Sequence, residues 1–127
     1  MERTAINPVT WSKELGFNQG ELVSGQTRTL YVSGQTAMND AGRPEHEGDM
    51  AAQLALSIDN VVAVLEAADM SLADLVRLTV YTTDVDVLFQ HYGVLAERLA
   101  APATTMLGVV RLAVPGQLVE LEGTAVA

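Results

Sequence analysis

From Asp49 onward the apolar side chains return at every third or fourth position, at Ala51, Leu54, Ala55, Ile58, Val61, Val62 and Leu65. That spacing lays them along one stripe of an α-helix. Asp49 stands where an N-cap belongs, and Asp69 with Met70 marks the exit. Beyond Leu75 the period drops to two, with Val76, Leu78 and Val80 alternating with Arg77, Thr79 and Tyr81 as far as Thr83. This predicts a strand with two unlike faces. A second helix begins at Asp84 or Asp86 and turns Leu88, Phe89, Tyr92, Leu95 and Leu99 inward. Gly93 weakens it by ~1 kcal/mol relative to alanine, and Pro102 closes it.

Two pairs of extended runs flank these elements: Phe17 to Val23 with Thr29 to Gln35, and Thr104 to Val114 with Leu118 to Val126 around the turn at Pro115-Gly116. Each pair reads as an antiparallel hairpin. The order is therefore β-β-α-β-α-β-β, an α+β fold with two helices on one face of a sheet. No Pro-, Ser- or charge-rich linker divides the chain, so one domain over residues 1–127 is expected.

One pentapeptide occurs twice, as Val23-Ser24-Gly25-Gln26-Thr27 and Val32-Ser33-Gly34-Gln35-Thr36. Nothing around the copies repeats, so they are not a structural repeat. The first lies between two strands and reads as a hairpin turn, where glycine supplies a positive φ. The second ends a β-rich run, where a glycine marks a bulge or the close approach of another group to the backbone.

Charge and composition narrow the partners. Sixteen acidic residues against seven basic ones leave a formal charge of −9, a field that repels phosphate backbones and anionic bilayers. Neither nucleic acid nor membrane is an expected partner. The absence of cysteine removes disulfides, thiolate metal sites and a thiol nucleophile. No segment reaches the ~20 consecutive apolar residues of a membrane span. A soluble, cytoplasmic protein is expected. Apolar residues make up 49% of the chain and charged ones 18%, which is rich for a small monomer and points to oligomerisation through buried faces.

Three stretches then carry a resemblance: Leu30 to Asp40 with Gly42-Arg43, Ser57 to Asp84, and Pro102 to Val126. Taken in order they resemble the Rid (reactive intermediate deaminase, YjgF) family from about Phe17 to the end of the chain. The resemblance implies a chorismate-mutase-like α+β subunit, assembled as a homotrimer with its helices outside. It also implies a small-molecule site in the clefts between subunits, and cofactor-independent hydrolysis of enamines or imines. The serine and glycine of the family's S-G-Q segment fall on Ser33 and Gly34, and the first glutamate of its closing strand falls on Glu120. The aromatic residue near the first strand, usually tyrosine, falls on Phe17, which has no hydroxyl to donate.

One departure carries the most information. Family deaminases read P-A-R-S where this chain reads Pro102-Ala103-Thr104-Thr105, so the arginine that grips a substrate carboxylate is replaced by Thr104. A bidentate, charge-assisted pair has no equivalent in a hydroxyl. Met106 stands where the family often has cysteine. The implied site joins Glu120, which would hold or shuttle a proton, to Phe17, Ser33, Gly34, Thr104, Thr105 and Met106, and its preference is for ligands without a carboxylate. A trimer of the same build that binds metabolites or protein partners without catalysis is the alternative.

Several other residues have plainer readings. Glu120 and Glu122 project from one strand face, with Val119 and Leu121 on the other. Arg111, in a V-x-R-L element, reads as a structural ion-pair partner. His46 and His91 read as surface residues with no second ligand at metal spacing, and Trp11 and Tyr31 read as packing residues.

Overall fold

A computed structural model describes residues 1–127. The long helix predicted from its apolar stripe is α2, Met50–Ala67, which buries Met50, Leu54, Ile58, Val61 and Leu65. Its ends obey local chemistry. Asp49 accepts a hydrogen bond from the Ala52 N–H at 3.1 Å, satisfying one of the donors that a helix leaves open at its N-terminus. At the other end Asp69 takes φ +55°, the Met70 N–H returns to the Leu65 carbonyl and the Asp69 N–H to that of Glu66. These two bonds form a Schellman stop. At 18 residues and a mean hydropathy of 1.4, α2 is long and apolar enough to reach across a bilayer. Its stripe instead lies on a sheet, with Leu54, Ile58 and Leu65 fully buried.

That sheet has four strands in the order β3-β6-β4-β5: β3 is Thr29–Gln35, β4 Leu75–Thr82, β5 Ala103–Gly108 and β6 Val119–Val126. β4 is central, with Val76, Leu78, Val80 and Thr82 buried and Arg77 exposed, as its alternation requires, while Leu75 is buried as well where the register with β6 shifts. β6 runs antiparallel to both β3 and β4, whereas β5 runs parallel to β4, so the sheet is mixed. α2 lies across β6 and β3 on one face, beside two short helices, α3 (Val85–Gln90) and α4 (Tyr92–Ala96). The opposite face carries no helix. The architecture is the α+β type expected.

Both hairpins read from the sequence are absent. β5 and β6 lie on opposite edges of β4, because the connection through α3 and α4 returns β5 parallel to β4, as a crossover of a dozen or more residues allows. Residues 109–118 then carry the chain across to the far edge of β4. At the front, β2 (Gly20–Ser24) pairs with a strand that was not foreseen, β1 (Glu2–Ile6). The first pentapeptide is consequently no hairpin turn. Gly25, at φ +72°, bends the chain out of β2, and the Thr27 and Arg28 N–H groups then dock on the Ala127 carbonyl beside β6.

Arg3 of β1 ties this small sheet to the large one. Its guanidinium grips Glu21 with two bonds of 3.1 Å and also reaches the backbone carbonyls of Ala73 and Leu75. The Glu21 side chain is almost fully buried, which makes the charge-assisted fork essential to it. A further one-turn helix, α1 (Trp11–Glu14), leads into β2.

The second predicted helix is interrupted. His91 leaves helical geometry between α3 and α4, at φ −116° and ψ 15°, one residue before the turn that holds Gly93. Leu88 and Leu95 still face the core as expected, but Phe89 is 59% exposed. Tyr31, read as packing, is 79% exposed on the helix-free face.

Candidate functional site

The sheet register sorts the predicted site residues onto two sides. Thr104 and Met106 of β5 stand opposite Leu78 and Val80 of β4, so they share the helix-covered side. There they line a cavity of about 330 Å³ together with Leu15, Phe17, Phe89 and Tyr92. Phe17 is placed by the tight turn that follows α1. Gly16 takes φ +81°, the Phe17 N–H returns to the Ser12 carbonyl, and the Asn18 N–H reaches the Ala101 carbonyl at the foot of β5. Trp11 meets the Phe17 ring edge to face at 5.9 Å, so Trp11 packs as expected although it is itself 56% exposed.

No Lys, Arg or His lines this cavity. The Thr104 hydroxyl is 2.8 Å from the Pro102 carbonyl and the Tyr92 hydroxyl 2.5 Å from that of Leu15. Burial pushes the Tyr92 pKa up from 10.0, which keeps the phenol neutral.

The other side is polar. Tyr81, Thr79 and Arg77 of β4 stand opposite Glu120, Glu122 and Thr124 of β6, on the face without helices. Tyr81 donates to Glu122 at 2.5 Å. Its pKa is raised by that hydrogen bond first, then by burial and by the neighbouring carboxylates, while Arg77 pulls the other way. Thr105 points to this face and not into the cavity, and its oxygen accepts a 2.7 Å bond from Arg77. A cation therefore does lie close to the altered P-A-T-T segment, but it sits across the sheet from Thr104.

The second pentapeptide meets this polar face. The β3–β6 register shifts between Val32 and Gln35, which places a bulge at Ser33-Gly34. A Cβ added to Gly34 would lie 2.0 Å from Glu120 Oε1 and 2.8 Å from its Cδ. Glycine is needed here because the Glu120 carboxylate rests on the backbone. Ser33 beside it is exposed.

The structure thus gathers Phe17, Thr104 and Met106 in one place, and Ser33, Gly34 and Glu120 in another. Sequence reasoning missed Leu15, Phe89 and Tyr92 as cavity walls, although Phe89 and Tyr92, three apart on a helical run, are spaced to share a face. It also missed Tyr81 and Arg77, whose alternation with the buried residues of β4 carried the signal. Arg111, expected in an ion pair, forms none within the chain; it lines an open depression of about 460 Å³ with Thr83 and residues 112–118. His46 is exposed and His91 half-buried, and no three His, Asp or Glu side chains converge to hold a metal.

A four-stranded mixed sheet with helices on one face, and a glycine bulge under a strand glutamate, defines a YjgF-like α+β subunit. The family model described as endoribonuclease L-PSP matches residues 13–127, and the chain belongs to this family, the Rid or YjgF proteins. A Rid-family structure from Yersinia pestis superimposes with a TM-score of 0.85 and 32% identity, covering 100% of both chains. The protein mmf2, mitochondrial, of Schizosaccharomyces pombe is 29% identical over 96% of each chain. A 2-iminobutanoate/2-iminopropanoate deaminase of Escherichia coli is 39% identical, over 45% of this chain and 44% of its own.

Proposed function

We propose that this protein is a cofactor-independent hydrolase of imines or enamines, cytoplasmic and homotrimeric, acting at a site shared between neighbouring copies on substrates that lack a carboxylate. One observation carries the reading: the two halves of the site face opposite sides of one sheet. Phe17, Thr104 and Met106 line the helix-side cavity, while Glu120, Gly34 and Ser33 belong to the bare face and its edge. They meet only if the cavity of one copy opens onto the Glu120 side of the next.

In that arrangement the ligand's apolar part lies against Phe17 and Met106, and Ser33 helps to orient the reacting group. The Glu120 carboxylate takes a proton from water as it adds to the imine carbon, and an enamine first accepts a proton at carbon. The carbinolamine then collapses, so that imine and water give a carbonyl compound and ammonia. Ribonuclease chemistry, the activity in the family model's description, is disfavoured by the charge of −9.

The test is to generate 2-iminopropionate and an uncharged imine in situ and to follow their loss with and without the protein, alongside its mass in solution. Faster loss of the uncharged imine by a trimer is expected. No acceleration of any imine would leave a binding protein, and a monomer would remove the shared site.

A further inference from the structure

The helix-side cavity has a hydrogen-bonding polarity that its residue types do not disclose. Only two of its six lining residues carry polar side-chain atoms, Thr104 and Tyr92. Each of those hydroxyls lies within hydrogen-bond distance of a backbone carbonyl, Pro102 for Thr104 and Leu15 for Tyr92. A carbonyl oxygen only accepts, so in both contacts the hydroxyl must be the donor. Each has a single proton, and both protons are committed. What remains toward the cavity is lone pairs on two oxygens, surrounded by Leu15, Phe17, Phe89 and Met106.

We propose that this cavity binds the uncharged aryl or branched-alkyl part of a ligand whose head group donates a hydrogen bond, and that it rejects carboxylates. Within one copy, an anion entering it would find no cationic side chain and no hydroxyl proton to spare, while losing its water. An N–H or O–H group finds Thr104 Oγ1 as an acceptor. At about 330 Å³ the space lies at the small end of ligand pockets, roughly 300 to 1,000 Å³, and suits one ring with a short head. Phe17 serves the same end, because the ring keeps the stacking surface and brings no hydroxyl of its own. The inference deepens the hydrolase reading by naming the ligand class, and it rests on that reading for the reaction alone.

The test uses probes that cannot be hydrolysed: benzyl alcohol, toluene and benzoate, titrated into the full-length protein in its native assembly and read by amide chemical shifts. Benzyl alcohol is expected to bind at least about tenfold more tightly than benzoate, and about three- to tenfold more tightly than toluene, as one net hydrogen bond allows. Its shifts should centre on Phe17, Phe89 and Thr104. Thr104→Val should erase the advantage over toluene, Met106→Trp should abolish binding, and Thr104→Arg should bring benzoate to the front. Benzoate binding as well as benzyl alcohol, or an unchanged order in Thr104→Val, would overturn the proposal. Probe order and imine turnover fail separately: the expected order without turnover sinks only the reaction, and turnover with the order reversed sinks only the cavity assignment.

Discussion

The two faces of the central sheet are built on opposite principles although they share the same strands. On the helix side β5 offers Thr104 and Met106 to a pocket walled by aromatic and aliphatic groups, where every hydroxyl proton is taken by backbone. On the bare side the neighbouring residues of β4, β5 and β6 form a polar mesh of Tyr81 on Glu122 and Arg77 on Thr105, with Glu120 laid over Gly34. One face holds a pocket lined by no charged side chain, and the other gathers Glu120, Glu122 and Arg77. On the proposed function a substrate that needs both lies between copies, and neither face alone carries all the residues to which the family motifs point.

The largest effect expected is at Glu120. Glu120→Gln keeps size and hydrogen-bonding reach but removes the proposed base, so imine turnover should fall by about 10² to 10⁴-fold, the usual contribution of general acid–base catalysis. Benzyl alcohol binding in the helix-side cavity should fall far less, since within each copy no Glu120 atom lines it and the ring is held by Phe17 and Met106. If both quantities fall together, the division of labour between the faces is wrong.

Gly34→Ala separates position from chemistry. The added methyl would overlap Glu120 Oε1 and crowd Cδ, and the carboxylate, at the end of a flexible side chain, must move. A displacement on the order of 1 Å lowers rates by up to about 10²-fold. The expectation is a tenfold or greater loss of turnover with an unfolding midpoint close to that of the unaltered protein. A large loss of stability with unchanged turnover per folded molecule would mean that the bulge serves the fold and not the carboxylate.

These contrasts also explain what the sequence disclosed. α2 and β4 were legible because period and burial coincide: Leu54, Ile58 and Leu65 on one, Leu78 and Val80 on the other, all with local caps or alternation. Strand partners were not. Hairpin reasoning pairs neighbours in sequence, whereas β5 and β6 are parted by β4, and β2 is claimed by β1. For the site, family motifs pointed to Phe17, Ser33, Gly34, Thr104, Thr105, Met106 and Glu120, but no motif says which face of a sheet a residue takes, and Thr105 lies across the sheet from Thr104. That depends on register. The commitment of Thr104 to the Pro102 carbonyl is likewise a matter of three-dimensional contact, invisible in a string that records only a threonine.

The smallest effect lies in the alkaline range, and it separates the faces by cause. Tyr81 and Tyr92 both have pKa values raised above 10.0, the first chiefly by its bond to Glu122 and the second by burial alone. A phenol that titrates higher when folded keeps its proton after the unfolded chain has lost it. Its stabilising contribution is therefore complete below about pH 10 and fades as pH climbs through the folded value. Urea midpoints measured between about pH 9 and 11.5 should fall less steeply for Tyr81→Phe, and for Tyr92→Phe, than for the unaltered protein. Glu122→Gln should flatten the part due to Tyr81 and leave the part due to Tyr92, because only Tyr81 owes its shift to that carboxylate. Equal flattening of both parts would show that the two tyrosines answer to a common field, and that the faces are electrostatically one.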